Sequence, residues 1–275
     1  MAHSAPGSDI TFFTSQTANR FDVADWFPRE HPPMPEIVAH GRPPAVSACA
    51  YCHLPSGAGR PENASLAGLP VDYIVAQVAD MKSGARTSAE PKMAPPAAMR
   101  KLAAAVADSD VRVAALYFSR LHPRKWIHVV EADTVPTLVV GGAGMFLPAP
   151  ERGVEPIGDR ILETPENPER TELRDAGSPF IAYVPRGSVA RGRRLVTTGA
   201  GTRKPCAQCH GPALRGTAAV PRIAGRSPTY IARQLFDIRA GARHGATTAP
   251  MIDETSSLSN DDILAIAAYL ATLQP

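Results

Sequence analysis

The four cysteines of the chain occur as two pairs and nowhere else, Cys49-Ala50-Tyr51-Cys52-His53 and Cys206-Ala207-Gln208-Cys209-His210. Both pairs read C-x-x-C-H, the pattern of c-type haem attachment. Two thiols three residues apart can each form a thioether with one of the two vinyl groups of a single haem. The imidazole of the next residue then lies beneath the iron as its proximal ligand, so His53 and His210 are the candidate metal ligands. Three other chemistries compete. A thioredoxin-like redox pair wants a βαβ setting, and a histidine directly after both pairs would be a coincidence. One structural zinc usually takes pairs ~15–20 residues apart, whereas Cys206 follows Cys49 by 157 residues. Disulfides are a weak reading for cysteines this close in sequence.

The elements that must hold these groups are repeated. Shifted by 157 residues, the two motifs superpose and the match runs without a gap to Arg86 and Arg243. It pairs Pro55 with Pro212, Ala67-Gly68 with Ala224-Gly225, Tyr73-Ile74 with Tyr230-Ile231, Gln77 with Gln234, and Asp80 with Asp237. A fixed period of this kind marks one module used twice. Ile74, Val75, Val78 and Met81 fall at helical spacing, as do Ile231, Leu235 and Ile238. Pro70 and Ser227-Pro228 open these helices, and both end in Gly-Ala-Arg. A last helix recurs at an offset of 152. Its stripe is Val111, Ala114, Ala115, Phe118 and Leu121 in one copy, and Ile263, Ile266, Ala267, Leu270 and Leu273 in the other. Ser259 and Asp262 form a capping box at the second copy's start.

A sixth iron ligand belongs in the stretch between these helices. Met99 precedes Val111 by twelve residues, and Met251 precedes Ile263 by twelve. Met93 competes, lying seven residues past Arg86 where Met251 lies eight past Arg243. The anchor nearer the last helix favours Met99. A single methionine is ordinarily core filler, but two at matched positions point to ligation.

On these residues the chain resembles the class I c-type cytochromes, in particular the dihaem proteins with tandem cytochrome c domains of the c4 group. The resemblance covers roughly residues 35–121 and 186–275. It implies a mainly α protein, two cytochrome c-like haem-binding helical domains, each wrapped round one haem with its N- and C-terminal helices crossing closely. Gly41 and Gly192 suit such a crossing because a residue without a side chain lets backbones approach. By the same resemblance Cys49, Cys52, Cys206 and Cys209 carry two covalently attached haem c groups. Tyr73, Arg86, Tyr230 and Arg243 reach haem propionates, with surface salt bridges and core packing as the alternative. Family members often place a proline before Leu-x-Gly, whose carbonyl orients the proximal imidazole; Pro221 fits, and Ala64 stands in its place in the first module.

At 275 residues, 44% hydrophobic and 20% charged, the composition is that of a globular protein of about two domains. Aromatic content is low at 6%, and the 28 prolines imply long irregular stretches; the haems would supply the missing apolar bulk. Residues 1–34 read as an N-terminal arm, with Trp26-Phe27 packing it onto a haem domain. Residues 122–185 read as a β-rich inter-domain insert with strands at 126–130, 137–140 and 180–184, broken by Gly and Pro. His40, His122, His128, His244 and Met145 are lesser candidates to displace a methionine ligand.

The formal charge is +3, without a basic stripe interleaved with aromatics, which excludes a nucleic-acid signature. The cluster Arg191, Arg193, Arg194, Arg203, Lys204 is a solvated face or, more sharply, a docking patch for an acidic partner. No apolar run is long enough to span a membrane. Haem c is attached outside the bacterial cytoplasm, so a periplasmic location is expected, with a signal in the precursor that residues 1–34 do not contain. The expected function is one-electron transfer between a dehydrogenase and an oxidase or cytochrome acceptor, through two His/Met-ligated haems. The rivals are a dihaem peroxidase-like oxidoreductase with one open haem, and a haem-containing subunit or sensor of a larger complex.

Overall fold

A computed structural model describes residues 1–141, 144–151, 153–201 and 203–275. The arm holds a hairpin, β1 (Ala2–Ser4) with β2 (Thr11–Phe13), and a helical turn α1 (Thr14–Thr17). The first helical unit follows: α2 (Glu36–Ala39), α3 (Cys49–His53), α4 (Val71–Ser83), α5 (Ala94–Ala105) and α6 (Asp108–Ser119). Proline at the N-cap opens α4, and Gly84 closes it at φ +85°, a left-handed position that glycine adopts without strain. Asp108 and Asp110 lie in the first turn of α6, where carboxylates complement the helix dipole. The α6 stripe Val111, Ala114, Ala115 and Phe118 is buried, with Leu121 just past the helix, against Ile37, Val38 and Ile74.

Among its described residues the insert carries seven short strands: β3 (Ile127–Ala132), β4 (Thr134–Pro136), β5 (Leu138–Val140), β6 (Phe146–Pro148), β7 (Val154–Pro156), β8 (Leu162–Pro165) and β9 (Phe180–Pro185). A single-turn helix, α7 (Pro168–Glu172), is capped by the Asn167 side chain. Strand β3 runs parallel to β9, and β8 pairs antiparallel on its other side; β4–β7 and β5–β6 are separate antiparallel pairs. The three anticipated strands are present. The short strands β4, β6, β7 and β8 carry too little alternation to be read from sequence. Trp126, Ile127, Phe180, Ala182 and Met145 form a buried cluster that also takes in Leu54 and Ala271. The insert is thus wedged between the two helical units rather than hung outside them.

The second unit comprises α8 (Ser188–Thr198), α9 (Ala207–His210), α10 (Pro228–Arg239), α11 (Ala249–Ser256) and α12 (Asn260–Thr272). The capping box forms as anticipated: Asp262 N–H donates to Ser259 Oγ at 3.1 Å and Ser259 N–H to Asp262 Oδ2 at 3.2 Å. Gly192 is where α8 crosses α12, since a Cβ there would sit 1.9 Å from the Ala265 carbonyl oxygen. Gly41 works differently. The first unit's entry helix α2 is only four residues long, and Gly41 lies beyond it at φ +67°. A Cβ there would meet the Val46 carbonyl at 2.2 Å, so its glycine serves a local turn and not a helix crossing.

Candidate functional site: two haem-attachment loops

In the first unit the single turn of α3 puts Cys49, Cys52 and His53 on consecutive faces; in the second Cys206 caps α9, which carries Cys209 and His210. All four thiols are unpaired. Burial pushes the Cys49 thiol up to about 12 and Cys206 to about 11, so neither is the low-pKa thiolate of a reactive dithiol site. Both imidazoles are buried, and burial lowers their pKa, keeping them neutral as ligation requires. His53 Nδ1 lies 2.8 Å from the Ala64 carbonyl oxygen, and His210 Nδ1 lies 2.9 Å from that of Pro221. A carbonyl can only accept, so Nδ1 carries the proton in both rings and Nε2 keeps its lone pair. Ala64 therefore orients its imidazole as Pro221 does, because a backbone carbonyl is all the position needs. No hydrogen bond to either Nε2 occurs among the described residues.

The methionines also fall in register. Met99 on α5 is one helical turn before Ala103, which is fully buried; Met251 on α11 is one turn before Thr255, also fully buried. Each lies seven residues before a buried anchor, Val106 or Leu258. Met93 stands instead at the N-cap of α5, where its sulfur accepts from Arg233 Nη1 at 3.5 Å. Met145 is buried in the insert core, and His128 and His40 sit on the surface beside Glu166 and Asp22.

The four residues expected at propionates are gathered into one crossed cluster between the units. Arg86 donates to Gln77 Oε1 (3.0 Å), Gln234 Oε1 (2.8 Å) and Tyr230 Oη (3.2 Å). Arg243 donates to Gln234 Oε1 (3.1 Å), Gln77 Oε1 (2.7 Å) and Tyr73 Oη (3.0 Å). Backbone bonds from Thr87 to Ala242 and from His244 to Ala85 close the seam. The repeat had matched Gln77 with Gln234, and each serves as an acceptor shared by Arg86 and Arg243 once the units face each other.

More guanidiniums converge here. Arg222 Nη1 donates to Ala224 O, Arg226 Nη2 donates to Ser65 O, and Arg233 Nη2 to Glu62 O. Buried Nε–H groups of Arg222, Arg226 and Arg243 donate no hydrogen bond among the described residues, while Arg60 Nε pairs with Glu62 Oε1 at 3.3 Å. Burial raises the Tyr230 phenol pKa, but Arg86, Arg226, Arg243 and Arg233 outweigh it and bring it down to about 7; burial and Arg226 lower Arg222 to about 9. The guanidiniums outnumber the carboxylates beside them, Glu62 and Asp237, and haem propionates are anions of the needed kind. The donor set, the free Nε2 atoms and the unmatched cations all fit a haem in each unit.

A family profile described as Cytochrome c matches residues 189–274. Cytochrome c-554(548) of Halomonas halodenitrificans is 37% identical over 68 residues, which cover 24% of this chain and 82% of that protein. The chain belongs to the cytochrome c family. Cytochrome c4 of Pseudomonas aeruginosa is 28% identical over 232 residues, covering 83% of this cytochrome and 85% of that one. The thiosulfate dehydrogenase electron acceptor of Stutzerimonas stutzeri is 28% identical over 243 residues, covering 85% and 82%. Among solved structures, the thiosulfate dehydrogenase TsdBA of Marichromatium purpuratum superposes with a TM-score of 0.56 at 25% identity. That superposition covers 86% of this chain but only 38% of the TsdBA chain. The protein is a mainly helical dihaem electron-transfer cytochrome with covalently bound haem c. Among the described residues no helix is long and apolar enough to cross a membrane.

Proposed function

We propose that this cytochrome carries single electrons in the periplasm from a dehydrogenase to a downstream acceptor, with residues 35–121 and 186–275 each holding one haem. His53 and Met99 would ligate one iron, His210 and Met251 the other. Haem iron supplies reversible one-electron chemistry, and a thioether opposite an imidazole favours the reduced state and leaves no open position. The chain's own groups do the rest. The Ala64 and Pro221 carbonyls fix the imidazoles; the cysteines would anchor the group, and the buried arginines would donate to its carboxylates. The observation that carries the reading is the matched position of Met99 and Met251, each half-buried and seven residues before a buried anchor, Val106 or Leu258. The names of the thiosulfate dehydrogenase relatives support a sulfur-oxidising dehydrogenase as the donor.

The test is an absorption spectrum of oxidised and reduced protein, repeated under carbon monoxide. Two iron–methionine bands without a carbon monoxide response are expected. Met99→Ala and Met251→Ala should each abolish one band and open one haem to the gas, and Met93→Ala should change neither. A wild-type haem that binds carbon monoxide rapidly would sink the carrier reading in favour of an oxidoreductase with an open site.

A further inference from the structure

The two attachment loops differ in what covers them. On the first, the insert residue Arg174 lies over the Tyr51 ring, its Cζ 3.5 Å from the ring centre. Arg174 also donates to the Tyr51 carbonyl and, at 3.1 Å, to the carbonyl of Thr17 in the arm. Trp26 of the arm is 3% exposed and donates from Nε1 to the Leu173 carbonyl at 2.9 Å. Arm and insert are thereby bolted to each other across the outside of Cys49–Cys52, and Ala50 is wholly buried.

The second loop has no such cap. Ala207, Gln208 and Cys209 are exposed, as are Pro212 and Ala213 just beyond. No hydrogen bond from the arm or the insert reaches residues 206–210 among the described residues. Along the chain its charge is one-sided as well, and the carboxylates that other elements bring to it include Glu254, paired with Lys204, and Asp262, paired with Arg203. Residues 186–221 hold seven Arg and Lys and not one Asp or Glu, whereas residues 34–64 around the first loop hold two of each sign. Arg193, Arg194 and Arg215 are exposed and, among the described residues, make no ion pair; Lys204 is 72% exposed.

We propose that the surface around Cys206–His210 is the docking face for an external redox protein that presents carboxylates, and that the capped first loop is closed to such partners. One electron passes at each encounter, the partner being oxidised by one electron as the cytochrome is reduced by one, or the reverse. The first unit then exchanges electrons with the outside only through the second, across the crossed Arg86–Arg243 seam. This rests on the carrier reading above. Exposed small residues allow close approach, Arg193, Arg194 and Arg215 are exposed cations without an ion pair among the described residues, and opposite charge raises the encounter rate by roughly 10–1,000-fold at low salt.

The probe is hexacyanochromate(III), a redox-inert paramagnetic trianion, added to the reduced holoprotein while amide signals are followed by NMR. Broadening should concentrate on residues 203–215 and leave Cys49–His53 sharp. In parallel, oxidation of the reduced protein by hexacyanoferrate(III) should slow as salt rises, with Debye screening. The triple variant R193E/R194E/R215E should lose the broadening and slow the low-salt rate by about tenfold or more. R20E/R42E/R112E, which reverses as many charges on the arm and the first unit, should slow it far less. Broadening centred on the first loop, or equal slowing by both triples, overturns the proposal. These outcomes are separate from the carbon monoxide test, because a protein with one open haem would still show which face the anion meets.

Discussion

Glu163 ties the insert to the second unit, and its charge state makes a prediction that reaches beyond local packing. It lies on β8, 2% exposed, with Oε2 accepting from Ser227 Oγ at 2.6 Å and Thr229 N–H at 2.9 Å, and with a further bond from the Thr229 hydroxyl. Its Oε1 is buried without a partner. Burial raises its pKa from 4.5 to about 7, although the bonds from Ser227 and Thr229 pull the other way. A carboxyl whose folded pKa lies above its unfolded value stabilises the fold fully below the unfolded value. That contribution is lost as pH rises through the folded one. A shift of this size corresponds to about 3 kcal/mol, lost between roughly pH 4.5 and 7. Glu163→Gln keeps the shape and the acceptor oxygen but cannot ionise. The assay is guanidinium unfolding followed by far-ultraviolet circular dichroism at several pH values from 4.5 to 8. Stability of the wild type relative to the variant should fall by about 3 kcal/mol across that range, nearly all of it below pH 7.5. Parallel pH profiles for the two proteins would refute a buried, protonatable Glu163.

Two further predictions test the helix crossing and the seam. Gly192→Ala places a methyl 1.9 Å from the Ala265 carbonyl oxygen, so α8 and α12 must part; a loss of about 3 kcal/mol is expected in thermal unfolding, and a change under 0.5 kcal/mol would show the crossing to be loose. Gln77→Leu and Gln234→Leu each remove an acceptor shared by Arg86 and Arg243, costing about 2–3 kcal/mol apiece. Because both guanidiniums bridge both amides, the double variant should depart from additivity by more than about 0.5 kcal/mol in a double-mutant cycle; simple addition would mean the two amides act independently.

The chemistry was written locally and so could be read from the chain. C-x-x-C-H is a contiguous unit, the duplicated text spans the helices that frame it, and the α6 and α12 stripes follow from a 3.6-residue period that burial then obeys. The Ser259–Asp262 box and the Pro-opened helices are also short-range. What lies within one turn of its cause is visible in sequence.

Tertiary structure decided whatever depends on distant segments meeting. Gly41 and Gly192 look alike in the chain; a four-residue α2 on one side and an eleven-residue α8 on the other give them different tasks. The arginines of the repeat could have been surface groups, and only the facing of the two units makes them cross-partners around Gln77 and Gln234. Strands β4, β6, β7 and β8 are too short to carry a period, so their pairing waits on the insert's wedge between Leu54 and Ala271. The capping of one attachment loop by Arg174 and Trp26, and the openness of the other, arise from contacts between residues well over a hundred positions apart. Two C-x-x-C-H motifs fix what the protein carries; the packing around them caps the first and leaves Ala207–Cys209 of the second exposed.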